Sequence, residues 1–281
     1  MANIAIVTDS TAYLPEEMVK KENVTVVPLS VIFGDTAYEE ETELSADAFY
    51  EMLQKQEELP TTSQPPLGKF VDVYESLAND YEAVISIHLS SGISGTYQTA
   101  LTAGEAVDGI EVYGFDSEIS CMPQGYYVME ASRMAEEGAD IDDILQRLND
   151  MKKTTDAYFI VDSLHHLHRG GRLTGAEALV GSLLQIKPVL HFEDKQIVPF
   201  EKVRTEKKAL KRVLDLFDQA ASIHGSLRAT VIHANRPEKA ETVKQKMQEK
   251  HPNLTIDVSC FGGVIGTHLG EGSIGIGWCS F

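Results

Sequence analysis

Hydroxyl side chains and glycines gather in four short polar stretches: residues 8–11 (Thr-Asp-Ser-Thr), 61–64 (Thr-Thr-Ser-Gln), 90–96 (Ser-Ser-Gly-Ile-Ser-Gly-Thr) and 266–270 (Gly-Thr-His-Leu-Gly). Together they hold one carboxylate, Asp9, and one imidazole, His268. Alcohols set beside unpaired backbone N–H groups at a helix start form a receptor for an anion. That chemistry favours a ligand carrying a carboxylate or a phosphate.

The stretch 90–96 leaves an apolar run (83–89) and opens a helix near Tyr97, so its glycines allow close backbone approach while Ser94 and Thr96 can point at a ligand. It lacks the Gly-Lys-Ser/Thr ending of a phosphate-binding P-loop and the final glycine of a G-x-S-x-G nucleophile elbow. Taken alone, it reads first as a helix-capping turn. Residues 61–64 also precede a helix, either as a cap or as hydroxyls sharing an anion with that helix's N–H groups. His268 stands among seven glycines in residues 262–277. A lone histidine is more often structural, but in a loop stripped of other side chains it is the residue to orient or neutralise an anion. Ser94, His268 and Asp9 are also the residue types of a nucleophile, a base and an orienting acid, which makes a serine-dependent acyl hydrolase the rival reading. A binder of a small phosphorylated metabolite is a third.

Three other groups carry two readings each. His165, His166 and His168, with His191 beyond, fit no familiar zinc spacing and have no cysteine nearby, so packed or solvated histidines are expected and no metal. Arg169-Gly170-Gly171-Arg172 is either an oxyanion clamp or a basic turn. Lys202, Arg204, Lys207, Lys208, Lys211 and Arg212 give one helix a basic face, which is a solvated surface or a docking site.

These groups are positioned by an alternation of strands and helices. Apolar runs at 4–7, 24–29, 83–89 and 112–115, bounded by turn residues, suit strands buried on both faces of a parallel sheet. Ser45 is a good N-cap with Leu44 and Phe49 as its hydrophobic staple, and Asp140 caps a helix bearing Ile141, Ile144, Leu145 and Leu148. Pro65 and Pro66 can open a helix whose apolar stripe is Leu67, Phe70, Val71, Tyr74 and Leu77. The pattern argues for an open α/β sheet, in which ligands sit beyond the carboxyl ends of the strands. Farther on come a strand at 157–161, an apolar helix at 176–184, a hairpin of 188–192 with 196–200, and a basic helix at 205–221. A strand (229–233), a helix (238–249) and two or three short strands in a glycine-rich tail follow.

The 281 residues carry 24 Lys+Arg against 43 Asp+Glu, a net charge of −19 that disfavours nucleic acid as a partner. Residues 1–157 hold a balance of −22 and residues 158–281 one of +3, which places a domain boundary near residue 157. No apolar stretch is long enough to cross a bilayer, no signal peptide is read at the N-terminus, and three widely spaced cysteines fit a reduced cytoplasmic compartment.

Taken together the motifs resemble the DegV family of bacterial fatty-acid-binding proteins. The matching pieces are Thr8-Asp9-Ser10, Thr62-Ser63-Gln64-Pro65, residues 90–98 (SSGISGTYQ), Gly170-Gly171-Arg172, Lys202-Val203-Arg204 and Gly266-Thr267-His268, in the family's order over essentially the whole chain. Glu271 departs from the family, which commonly has proline there. The resemblance implies a two-domain α/β fold: an N-terminal open, mostly parallel sheet with flanking helices, and a C-terminal α/β domain with a mixed sheet. A long-chain fatty acid such as palmitate would lie between them. By carry-over, Thr62 and Ser94 hydrogen-bond its carboxylate and His268 completes the polar ring, with Ser63, Thr96 and Thr267 in support. Arg172 would stand behind that ring or face a phosphoryl group. The resemblance further implies a carrier without cofactor that presents the carboxylate to a separate fatty-acid kinase, the acyl phosphate then entering phospholipid synthesis. Arg204, Lys208 and Arg212 would dock the kinase or touch headgroups, and the acidic first half would keep membrane contact transient.

Overall fold

The computed structural model describes residues 3–280 except 22, 57 and 175–186. In chain order the elements are β1 (Ile4–Asp9), a 3₁₀ turn (Ser10–Ala12), α1 (Glu16–Lys21), β2 (Val24–Val27), β3 (Ser30–Phe33), β4 (Thr36–Glu39), α2 (Ala46–Lys55), β5 (Thr61–Ser63), α3 (Leu67–Leu77), β6 (Ala83–His88), α4 (Thr96–Gly104) and β7 (Glu111–Asp116). There follow α5 (Met122–Glu136), α6 (Ile141–Lys152), β8 (Asp156–Ile160), α7 (His165–Gly170), β9 (Val189–Glu193), β10 (Gln196–Glu201), α8 (Glu206–His224), β11 (Leu227–His233), α9 (Pro237–Lys250), β12 (Thr255–Cys260), α10 (Gly263–Leu269) and β13 (Ile274–Ser280).

Every residue of β1 and β6 is buried, as a parallel sheet covered on both faces requires. The two strands lie at the centre of a parallel sheet of order β2-β1-β6-β7. Alternation along β1 sends Ala5 and Val7 to one face, where Phe70, Tyr74, Ala100 and Ala103 of α3 and α4 cover them. Ile4 and Ile6 go to the other face, against Tyr126, Tyr127, Ile144 and Leu148 of α5 and α6. The expected caps are made: Ser45 Oγ accepts the Ala48 N–H at 3.3 Å, and Asp140 accepts the Asp143 N–H at 2.9 Å. A mixed six-stranded sheet, order β10-β9-β8-β13-β11-β12, is antiparallel except for the β11–β12 pair. Its β9–β10 hairpin turns through Asp194 and Lys195, both with positive φ, the geometry of a two-residue hairpin loop.

Several expectations are corrected. The run at 24–29 stops as a strand at Val27, and the chain then forms a separate antiparallel sheet, β4-β3-β5. Residues 61–63 are a strand in that sheet and not a helix cap, while Pro66 lies just outside α3. Leu67, assigned to the buried stripe of α3, is 42% exposed because it sits on the first turn. Helix α5 was not foreseen: ten of its fifteen residues are buried, so no one-sided stripe marks it. The glycine-rich tail holds a helix, α10, where a loop was expected. The helix expected at 176–184 lies outside the described residues. Among the described residues no helix is long and apolar enough to cross a membrane.

One apolar cluster draws on all these layers. It joins Val31 of β3, Phe49 and Tyr50 of α2, Leu89 after β6, Phe159 of β8, Leu190 of β9 and Val264 of α10. Much of the lining of the cavity described next comes from this cluster.

Candidate functional site

A cavity of about 270 Å³ opens between the three-stranded sheet, the turn after β6, α10 and the mixed sheet. Its apolar lining includes Leu29, Leu89, Phe159, Phe192 and Ile265, and its polar lining includes Thr62, Ser94, Arg172 and His268.

Strand β5 supplies Thr62. It pairs with Val31, and the two-residue alternation turns Thr62 inward while Thr61 and Ser63 face solvent. Helix α10 supplies His268 from its last turn. Thr62 Oγ1 and His268 Nε2 lie 2.8 Å apart, a hydrogen bond joining two elements that are 206 residues apart in sequence. The other ring nitrogen, Nδ1, is buried with no partner. It faces Gly170 of α7, where any Cβ would collide with the ring, so glycine is required there. Burial, with smaller contributions from the Arg172 and His166 charges, pushes the His268 imidazole down to about 4. The ring is therefore neutral at physiological pH.

Ser94 comes from the turn after β6. Its hydroxyl lies 2.9 Å from Thr96 Oγ1 and also accepts the Thr96 N–H at 3.3 Å. The turn itself is pinned to the β9–β10 hairpin. Ser90 Oγ donates to the Lys195 carbonyl at 2.6 Å, and Ser91 donates from its N–H and its hydroxyl to Asp116 at 3.1 and 2.5 Å. The Lys195 ammonium meets Asp116 at 3.0 Å. Burial works to raise the Asp116 carboxyl, but the Ser91 hydroxyl, Lys195 and two backbone N–H groups together hold it below its ordinary range.

The structure thus brings Thr62, Ser94 and His268, together with Ser63 and Arg172, to the lining of one cavity. Arg172 donates from Nε to the Ile93 carbonyl at 3.1 Å and from Nη1 to the Gly170 carbonyl at 2.5 Å. Three other candidates stand elsewhere. Thr96 is fully buried behind Ser94 and does not line the cavity. Thr267 turns away, its hydroxyl donating to the Gly263 carbonyl at 2.8 Å within α10. Asp9 orients His88 and not His268: its carboxylate takes His88 Nδ1 at 2.9 Å, the Leu89 N–H at 3.0 Å and Thr11. The Ser94–His268–Asp9 triad of the hydrolase reading is not assembled.

Lys202 and Arg204 precede α8 and so are not part of the basic helix face expected; Arg204 and Lys208 are exposed, whereas Arg212 donates to Glu201 at 2.7 Å and lies over the Phe200 ring. His166 donates from Nδ1 to the Thr267 carbonyl at 3.2 Å, and His191 stacks on Tyr158. Among the described residues no group of three or more His, Cys, Asp or Glu is arranged to hold a metal. Glu271 is tied down by the Gln54 and Asn235 amides at 2.8 and 2.7 Å. In the sequence Gly170 belongs to a stretch readable as an oxyanion clamp or a basic turn and to the Gly170-Gly171-Arg172 motif, and nothing local there signals a wall behind an imidazole.

A pocket lined by hydrocarbon together with alcohols and a neutral imidazole suits an amphipathic molecule with a small acidic head. Among known proteins, residues 3–280 match the family model described as "Uncharacterised protein, DegV family". A DegV domain-containing protein of Halalkalibacterium halodurans is 58% identical over 279 residues, 99% of each chain. The chain superimposes over 100% of both chains on the crystal structure of DegV from Bacillus subtilis, described as a fatty acid binding protein, with a TM-score of 0.96 and 53% identity. The fatty acid binding DegV family protein of Streptococcus agalactiae gives a TM-score of 0.93 at 35% identity, again over the whole of both chains.

Proposed function

This chain belongs to the DegV family, and on that premise we propose that it binds a long-chain fatty acid, such as palmitate, in the cavity between residues 1–157 and residues 158–281. The observation that carries this reading is the cavity itself, whose largely apolar lining also holds the hydrogen-bonded Thr62–His268 pair and Ser94. The fatty-acid binding described for the Bacillus and Streptococcus proteins supports it. Burying each methylene is worth about 0.8 kcal/mol, so a C16 chain gains on the order of 10 kcal/mol gross. Association costs several kcal/mol of that, and the remainder still favours retention. The carboxylate, stripped of water in the cavity, needs donors in return. The Thr62 and Ser94 hydroxyls supply them, with the His268 ring fixing the direction of the Thr62 hydroxyl.

The bound acid is presented to a separate fatty-acid kinase, for which this chain acts as carrier and co-substrate. The sequence supports that division of labour, since it holds no Gly-Lys-Ser/Thr phosphate loop. Arg204, Lys208 and Arg212 form the docking face, and Arg172 faces the phosphoryl group as it is transferred. Native mass spectrometry of the purified protein tests the ligand class: co-purification of one C14–C18 acid per chain is expected. A protein that stays empty when mixed with palmitate would end the proposal.

A further inference from the structure

The three-stranded sheet that carries Thr62 also ends in an acid. β4 stops at Glu39, and the next residue, Glu40, is fully buried while the chain around it is exposed or half-exposed. Its carboxyl takes three donors: Ser10 Oγ at 2.6 Å, the Tyr13 hydroxyl at 2.9 Å and the Val264 N–H at 2.7 Å. The Tyr13 hydroxyl in turn accepts the Ile265 N–H at 3.2 Å. Val264 and Ile265 line the cavity from the first turn of α10, the helix whose last turn holds His268. Gly262, just before that helix, has no space for a side chain because the Tyr13 ring and the Glu40 carboxyl occupy it.

Helix α10 is therefore tied to one small sheet at two points. Thr62 on β5 holds its C-terminal end through His268, and Glu40 beyond β4 holds its first turn through Val264. Strand β3 joins the two points, pairing with β4 on one side and β5 on the other. The helix has seven residues, so a slip at one end moves the other end with it.

We propose that Glu40 is a positioning residue for the carboxylate receptor, setting the seat of α10 so that His268 stays against Thr62. The role rests on the fatty-acid reading for its purpose, but the contacts that define it do not involve a ligand. Glu40 acts as an acceptor, so an amide at the same position serves in its place. The titratable groups that interact with it are Tyr13, Glu41, Tyr50, Cys121 and Cys260, while Asp9, Glu16 and His233 line the same pocket on its outer side, and burial is the largest influence on its carboxyl. Its desolvated carboxyl is accordingly pushed up to about 7.

The test is the titration of the His268 ring, followed by NMR in histidine-labelled protein, with palmitate affinity measured beside it. In the wild type the enclosed ring stays neutral down to about pH 4. Glu40→Ala is expected to move that titration by more than one pH unit toward the ordinary histidine value and to weaken palmitate binding at least tenfold. Glu40→Gln is expected to keep both near wild type. A folded Glu40→Ala protein with an unshifted His268 titration and unchanged affinity overturns the proposal. Should Glu40→Ala fail to fold, Tyr13→Phe removes only the hydroxyl shared by Glu40 and the Ile265 N–H. A His268 titration shifted upward in that variant supports the role, and an unshifted one overturns it. Failure of the wild type itself to bind palmitate would remove the ligand reading, while the His268 titration would still decide the role of Glu40.

Discussion

The protonation of Glu40 makes the stability of the fold depend on pH in a direction that most carboxylates would not produce. The group is fully buried, and desolvation outweighs the hydrogen bonds from Ser10, Val264 and Tyr13, raising its carboxyl from 4.5 to about 7. A group whose folded value lies above its unfolded one stabilises the fold fully below the unfolded value, here 4.5, and that contribution is lost as pH rises through the folded value. The shift from 4.5 to about 7 spans 2.5 units, which at about 1.4 kcal/mol per unit gives roughly 3 kcal/mol lost between pH 4.5 and 7. Glu40→Gln keeps the shape and most of the hydrogen bonds without the ionisation. Urea unfolding of the two proteins at pH 5, 6, 7 and 8 measures the difference. The glutamine variant should gain on the wild type by about 2–3 kcal/mol between pH 5 and 8, with most of the change below pH 7. A gap that stays constant with pH, or that widens toward acid, would refute the assignment of a raised, desolvated carboxyl.

Three other outcomes are expected. Thr62→Ala combined with Ser94→Ala should fold, and each substitution removes hydrogen bonding worth about 0.5–1.5 kcal/mol, so the pair should weaken palmitate binding roughly tenfold or more by calorimetry. Gly170→Ala drives a methyl group into the His268 ring; overpacking of this kind costs about 1–3 kcal/mol, and the variant should melt earlier and lose ligand affinity, both read from thermal shift with and without palmitate. Reversing the charges of Arg204, Lys208 and Arg212 should leave palmitate affinity within twofold while reducing acyl-phosphate formation by an added fatty-acid kinase, an effect that product analysis by mass spectrometry resolves.

The amount of this that the sequence made legible follows from how each element is built. Strands β1, β6 and β7 announce themselves because they are continuous apolar runs, and α2 and α6 because a capping side chain precedes a one-sided stripe. Helix α5 is surrounded by protein on nearly every side, so its apolar residues show no period. Strands β3, β4 and β5 are three or four residues long with mixed burial, too short for an alternation to stand out. Helix α10 is hidden by glycines, which are poor helix formers; packing decides there, since Gly263 and Gly266 lie against Val31, Phe49 and Tyr50. The two alcohols and the imidazole expected at the candidate site, from three distant stretches, all line one cavity. The bonding of the candidates was not legible: the hydroxyls of Thr96 and Thr267 are used locally, and Asp9 serves His88. Glu40 stands in a run of three glutamates, Glu39-Glu40-Glu41, and only the fold separates the buried one from its neighbours.

The most direct measurement is a crystal structure of the chain saturated with palmitate. The account predicts a continuous acyl density filling the cavity between Leu29, Phe159 and Ile265, with its carboxylate oxygens within hydrogen-bond reach of the Thr62 and Ser94 hydroxyls. An acyl chain bound elsewhere, or one lying in this cavity with its carboxylate at the opposite end from Thr62 and Ser94, would contradict it.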